Sequence, residues 1–177
     1  KVLGVLIPVA EAIAKNAGGK IGILATKATV ESEAYLREIQ KFIPKAKILQ
    51  RAAPLLVPLI EEGMIDHSVT KTILADYLSD FKKENIKNLI LGCTHYPFIK
   101  HLIQAEMPNV KIFDSPSVIP SSLENYFSRH PEIEKKLSKN SIRRYVTTDD
   151  PENFERFAKE NNLFSSTSSR VERCPLV

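Results

Sequence analysis

Four short apolar runs, IGILA (21–25), AKILQ (46–50), NLILG (88–92) and VKIF (110–113), recur along the chain with longer stretches of helical period between them. Strands so spaced cannot be joined by tight hairpins; they call for crossover helices and a parallel sheet covered on both faces. The period predicts a helix from Val30 to Ile43 with Val30, Ala34, Ile39, Phe42 and Ile43 on one side, Thr29 as its cap and Glu31 and Glu33 in its first turn. A second helix is expected from about Asp66 to Lys83, covering Val69, Ile73, Ala75 and Leu78, and a third through Ile99 and Ile103. The opening run VLGVLI starts as though in mid-fold.

After Asp114 the pattern changes. DSPSVIPSS reads as a Ser- and Pro-rich loop, with Asp114 a turn residue, and a helix near 119–128, a basic segment and a strand IRRYV (142–146) follow. Asp150 and Pro151 have the chemistry of an N-cap and a first helical position for one more helix. SSTSSRVERCPLV reads as a disordered tail, in which Cys174 is an exposed thiol. The expected division is therefore an α/β domain over 1–114, a partial second α/β domain over 115–164 and a tail over 165–177.

Charge argues against a polyanionic partner. The 25 Lys and Arg and 21 Asp and Glu give +4 and a pI near 9.0. The signs are interleaved in both parts of the chain, and neither a concentrated basic face nor Trp is present, so nucleic acid is not expected as a partner. No apolar run reaches the length of a bilayer span. Two cysteines are too few for a disulfide scaffold, which makes a reducing cytoplasm the expected compartment.

LILGCTHYP (89–97) carries the chemistry: a strand, a glycine, then Cys93, Thr94 and His95 before Pro97 opens a helix. Ligands of open α/β sheets bind at the carboxyl ends of strands. A thiol there, beside a His and the positive end of a helix, is expected to have a lowered pKa and an available thiolate. A cysteine phosphatase needs Arg where this chain has Ile99, and a zinc site needs ligands beyond Cys93 and His95. An acyl-transfer nucleophile would use His95 as base, with no third group evident to orient it. Proton transfer at a carbon acid remains, for which a thiolate in a dry cleft is a competent base.

LGCTHYP closely resembles the second catalytic-cysteine motif of the glutamate racemases, within the wider aspartate/glutamate racemase superfamily. KIGILATKATVESEAY (20–35) is similar to that family's strand, turn and helix with its T-x-x-T pair, here Thr26 and Thr29. APLLVPLIEEG (53–63) resembles its C-P-x-x-V-P-x-x-E segment, and IFDSPS (112–117) the strand that closes this half. The matches occur in the family's order over about residues 1–150.

The resemblance implies a cofactor-independent, metal-free interconversion of L- and D-glutamate that supplies peptidoglycan synthesis, with two cysteines on opposite faces of the substrate Cα. By that resemblance Cys93 is one base, His95 assists it, and Glu61, or Glu62 if the register is shifted by one, is the assisting carboxylate. Thr94 binds the substrate's amino or carboxylate groups, and Thr26 and Thr29 line the cleft. The chain departs from the family at Ala53, where a Cys is usual, and at Ile7, where an acidic residue is usual. The family's D-S-G, P-Y-G and first C-x-T motifs do not occur in the 177 residues. The expectation is thus a C-terminal portion, inactive alone, whose partners are glutamate, the N-terminal half of the same enzyme and a second copy in a homodimer. The alternative is an α/β module that holds a small anion without chemistry. His67, His101 and His130 are assigned no role.

Overall fold

All five residues of IGILA are buried, as a strand covered on both faces requires. The computed structural model describes residues 3–16, 18–140, 142–164 and 170–175. In chain order the elements are α1 (Leu6–Asn16), β1 (Ile21–Ala25), α2 (Lys27–Glu31), α3 (Ala34–Phe42), β2 (Ile48–Ala52), α4 (Leu56–Glu61), α5 (Ser68–Lys83) and β3 (Asn88–Gly92). A 3-10 turn (Tyr96–Ile99), α6 (Lys100–Glu106), β4 (Lys111–Phe113) and α7 (Ser115–Arg129) come next, then α8 (Pro131–Glu134), β5 (Tyr145–Thr147), α9 (Pro151–Glu160) and β6 (Val171–Arg173). The chain divides into two compact units, Lys1–His130 and Pro131–Val177.

In the first unit the sheet order is β2-β1-β3-β4 and every pairing is parallel. Ile21, Ile23, Ala25, Ile90 and Phe113 meet Val9, Ala10 and Ile13 of α1 and Tyr35 and Ile39 of α3 on one face. Phe81 of α5 closes over Gly22 and Leu89 on the other, where Leu74, Leu78 and Ile103 are also fully buried. Each large apolar side chain so buried contributes about 1.5–3 kcal/mol against the entropy of ordering. The result is the expected three-layer α/β architecture. From β1 the chain passes over one face to β2, whereas β3 lies on the opposite side of β1 and leads to α6 on the other face. The carboxyl ends of β1 and β3 therefore flank a topological switch point, the place at which open α/β sheets bind their ligands.

Several elements differ from expectation for local reasons. The single helix over 30–43 is two: Thr26, not Thr29, caps α2, and Glu33 in the left-handed region at φ 51° separates α2 from α3. Glu31 accordingly ends a helix rather than opening one. The buried stripe of α5 is Thr70, Leu74, Leu78 and Phe81, leaving Val69 exposed, because i, i+4 spacing sets that face. Asp114 is no turn residue but the N-cap of α7, its side chain accepting from the Ser117 N–H at 2.7 Å. The Ser- and Pro-rich stretch is thus helical from Ser115, with Pro116 in the first turn, where no N–H is needed. α1 forms within residues to which the opening apolar run assigned no element.

In the second unit β5 and β6 pair in parallel, Tyr145 opposite Val171, with α9 between them in sequence. Asp150 caps α9 and Pro151 opens it as the sequence predicts. Tyr145 meets Phe164 edge to face with centroids 4.7 Å apart, and Glu155 accepts from the Val171 N–H at 3.1 Å. Residues expected in a disordered tail therefore supply a strand, Val171–Arg173; the rest of that expectation, at 165–169 and 176–177, lies outside the described residues.

Candidate active site

Register brings the site together before any side chain is considered. Ala25 lies opposite both Gly92 and Ala52, so Thr26, Cys93 and Ala53 are the next residues on three adjacent parallel strands. Gly92 is required there: a Cβ at this position would stand 2.9 Å from Ala25 Cβ and 3.0 Å from the ring of Tyr35. Its absence lets Tyr35, only 6% exposed, pack against the residue that precedes the thiol. The sequence pattern places Tyr35 in a helix and assigns it no part in the site.

Beyond β3 the backbone turns sharply, the Tyr96 N–H bonding the Cys93 carbonyl at 3.3 Å. His95 is thereby held with Nδ1 4.0 Å from Cys93 Sγ and 3.4 Å from Thr94 Oγ1, while Nε2 meets Glu61 Oε1 at 2.9 Å. A carboxylate only accepts, so Nε2 carries the hydrogen, and in the neutral ring Nδ1 is left as an acceptor facing the thiol. The third group is Glu61, the carboxylate that the resemblance names, which comes from the last turn of α4; of the two adjacent carboxylates it is Glu61, not Glu62, that makes this contact. Cys93, His95 and Glu61 form one line from half-buried sulfur to exposed carboxylate.

The expected lowered thiol pKa is corrected. Burial pushes the Cys93 thiol up, and the nearby Glu61 charge adds to the rise. Backbone contacts from His95 and Tyr96 act in the opposite direction without prevailing. The cysteine leads into a four-residue 3-10 turn, not a long helix whose aligned dipoles could offset desolvation. Burial likewise raises the Tyr35 and Tyr96 phenols, and the charge of Cys93 raises both further.

Thr26 and Thr29 share a hydrogen bond, Oγ1 to Oγ1, at 2.9 Å, and both are half-buried at the carboxyl end of β1. Thr94 is exposed. Asp114 follows the last residue of β4. It is 1% exposed and bound by Lys100 Nζ at 2.7 Å. Its burial disfavours the charge, but the hydrogen bonds of Lys100 and Ser117 outweigh that and hold the carboxyl below its ordinary range. Hollows lined by Phe81, Ile86 and Met107, and by Lys20, Ile43 and Lys47, open at the amino ends of the strands, away from Cys93. Among the described residues no group of three or more His, Cys, Asp or Glu could hold a metal ion, and no helix is long and apolar enough to cross a membrane. A half-buried thiol with an oriented imidazole beside it is equipped to give up and recover a proton.

The model of the Asp/Glu/Hydantoin racemase family matches residues 2–120. The chain is 37% identical over 156 residues to a glutamate racemase of Sulfurihydrogenibium sp., covering 88% of this chain and 57% of that protein. It is 46% identical over 104 residues to a glutamate racemase of Neisseria meningitidis, covering 59% of this chain and 38% of that one. Among solved structures, a glutamate racemase isoform from Bacillus anthracis superposes with TM-score 0.84 at 28% identity, over 99% of this chain and 64% of that one. The Francisella tularensis glutamate racemase in complex with D-glutamate gives 0.80 at 28% identity, over 98% and 62%. The chain thus spans about half the length of the curated relatives it matches.

Proposed function

The chain belongs to the Asp/Glu/Hydantoin racemase family, and from that premise we propose that it is the Cys93-bearing portion of an enzyme that interconverts L- and D-glutamate. The observation that carries this reading is the line Cys93, His95, Glu61 at the carboxyl ends of β3 and α4. His95 Nδ1 takes the thiol proton. The thiolate then removes the α-proton of one enantiomer, and a thiol on the opposite face of the planar carbanion returns a proton. For the other enantiomer the roles reverse, and Cys93 donates. A thiol kept above its ordinary pKa suits this alternation, because its resting form is the donor and the thiolate appears only when His95 has accepted. The exposed Thr94 hydroxyl and those of Thr26 and Thr29 bind the substrate's amino and carboxylate groups.

Cys174, the other cysteine, is exposed and belongs to the second unit. We assign the second base to the N-terminal part of the relatives that this chain does not span, so the 177 residues alone are inactive. The complete enzyme works in the cytoplasm as a homodimer, without cofactor, and supplies D-glutamate for peptidoglycan.

The test is α-proton exchange of L- and D-glutamate in deuterated water by the full-length polypeptide. Cys93→Ala is expected to abolish exchange of one enantiomer and all racemisation, with Cys93→Ser leaving a trace. Exchange of both enantiomers by Cys93→Ala overturns the assignment. Glutamate binding without exchange by the unsubstituted protein returns the reading to a non-catalytic anion-binding module.

A further inference from the structure

Tyr96 is one of the largest fully buried side chains of the chain, yet it ends in a hydroxyl. That hydroxyl donates to the Ala53 carbonyl at 2.8 Å, across the carboxyl end of β1, from the segment after β3 to the segment after β2. The Ala53 peptide is an anchor on both sides. Its N–H bonds the carbonyl of Ala25, the last residue of β1, at 2.9 Å, and its carbonyl also accepts from the N–H of Leu56, the first residue of α4, at 3.3 Å.

α4 needs such an anchor. It has six residues and no side-chain cap at Leu55, and a helix that short does not hold its place by its own hydrogen bonds. Its two buried residues, Leu56 and Ile60, fix its depth. At its far end stands Glu61, whose side chain is 54% exposed and whose contact with His95 is too solvated to hold a helix in position. The same two segments thus meet twice: Tyr96 with Ala53 at the start of α4, and His95 with Glu61 at its end.

We propose that the Tyr96 hydroxyl is a positioning group for the Cys93 site, setting the start of α4 through Ala53 and thereby the reach of Glu61 to His95 Nε2. The proposal rests on reading Cys93, His95 and Glu61 as the proton-transfer line. The Tyr96 hydroxyl is engaged by Ala53 and not by the sulfur; it acts through the tautomer and orientation of His95. Removing the hydroxyl leaves the ring filling its space and leaves Ala53 its bonds with Ala25 and Leu56, but it cuts the tie between the start of α4 and the segment that carries His95.

The experiment is Tyr96→Phe in the full-length polypeptide. A fall in kcat of about 10- to 100-fold is expected with KM nearly unchanged, the signature of a displaced catalytic group rather than lost binding. In 15N spectra the His95 ring should change from a single Nε2-protonated tautomer to a mixture. In a Glu61→Gln background the same substitution should add little, since both act through one contact. A lowered Tm with kcat and the His95 resonances unchanged overturns the proposal and leaves Tyr96 a packing residue. If the Phe variant does not fold, 3-fluorotyrosine at position 96 keeps ring and hydroxyl and makes the hydroxyl a stronger donor at the cost of one added fluorine. Movement of the His95 Nε2 resonance then supports the coupling, and its absence overturns it. Should the unsubstituted protein lack racemase activity, the proposed function falls, and the His95 tautomer still decides the role of Tyr96.

Discussion

Cys93 lies between two opposing influences, and their balance gives a measurable sign. Burial and the Glu61 carboxylate disfavour its thiolate, while the turn's backbone favours it. Alkylation of Cys93 followed against pH should therefore show a midpoint above the ordinary thiol value, and Glu61→Gln should move that midpoint down by removing a like charge. The same substitution should slow turnover, because His95 loses the group that orients it; a thiol made more reactive and an enzyme made slower would come from one change. An unmoved midpoint would mean that the Glu61 charge is screened from the sulfur. Cys93, His95 and the T-x-x-T pair were legible in the sequence because a motif at a strand end carries its own local geometry. Tyr35 was not, since what brings it against Gly92 is the packing of α3 on a strand far away in the chain.

β1 and β3 were readable to the residue because a strand buried on both faces leaves an uninterrupted apolar run. The helices were less so. Composition alone made DSPSVIPSS a loop, although Asp114 followed by Ser and Pro is also how a capped helix begins. Asp114→Ala tests that cap. Loss of the N-cap bond and of the Lys100 contact should cost about 1–2 kcal/mol, partly offset because Lys100 can turn to water. The sign with pH comes from its lowered pKa in the folded chain. The stabilisation is complete above the ordinary carboxylate range and is lost as pH falls through the lowered folded value, so parent and variant should converge in acid. Thermal melts at neutral and acid pH, with hydrogen exchange at Ser117 and Val118, provide the check. A gap that persists undiminished in acid would assign the loss to packing.

The two units of the chain differ in how much they bury. The first has an apolar layer on each face of its sheet, whereas among the described residues of the second only Ala158 and Val171 are buried, and Ile142, Val146 and Phe154 are exposed. So small a core confers little stability of its own. In the isolated 177-residue chain the amides of β5 and β6 should exchange much faster than those of β1 and β3, and adding the N-terminal part proposed above should slow them. Equal protection of both sheets in a monomeric chain would show that β5 and β6 need no further partner. The pairing of β1 also sets an order of events for a chain synthesised from its amino end. Its edge toward β2 can be filled once residue 52 has emerged, but the edge toward β3 waits for residue 92. Cys93 is the next residue to be added. The thiol thus leaves the ribosome directly behind the strand that closes the central pairing, with Glu61 already made and His95 and Tyr96 the second and third residues to follow it.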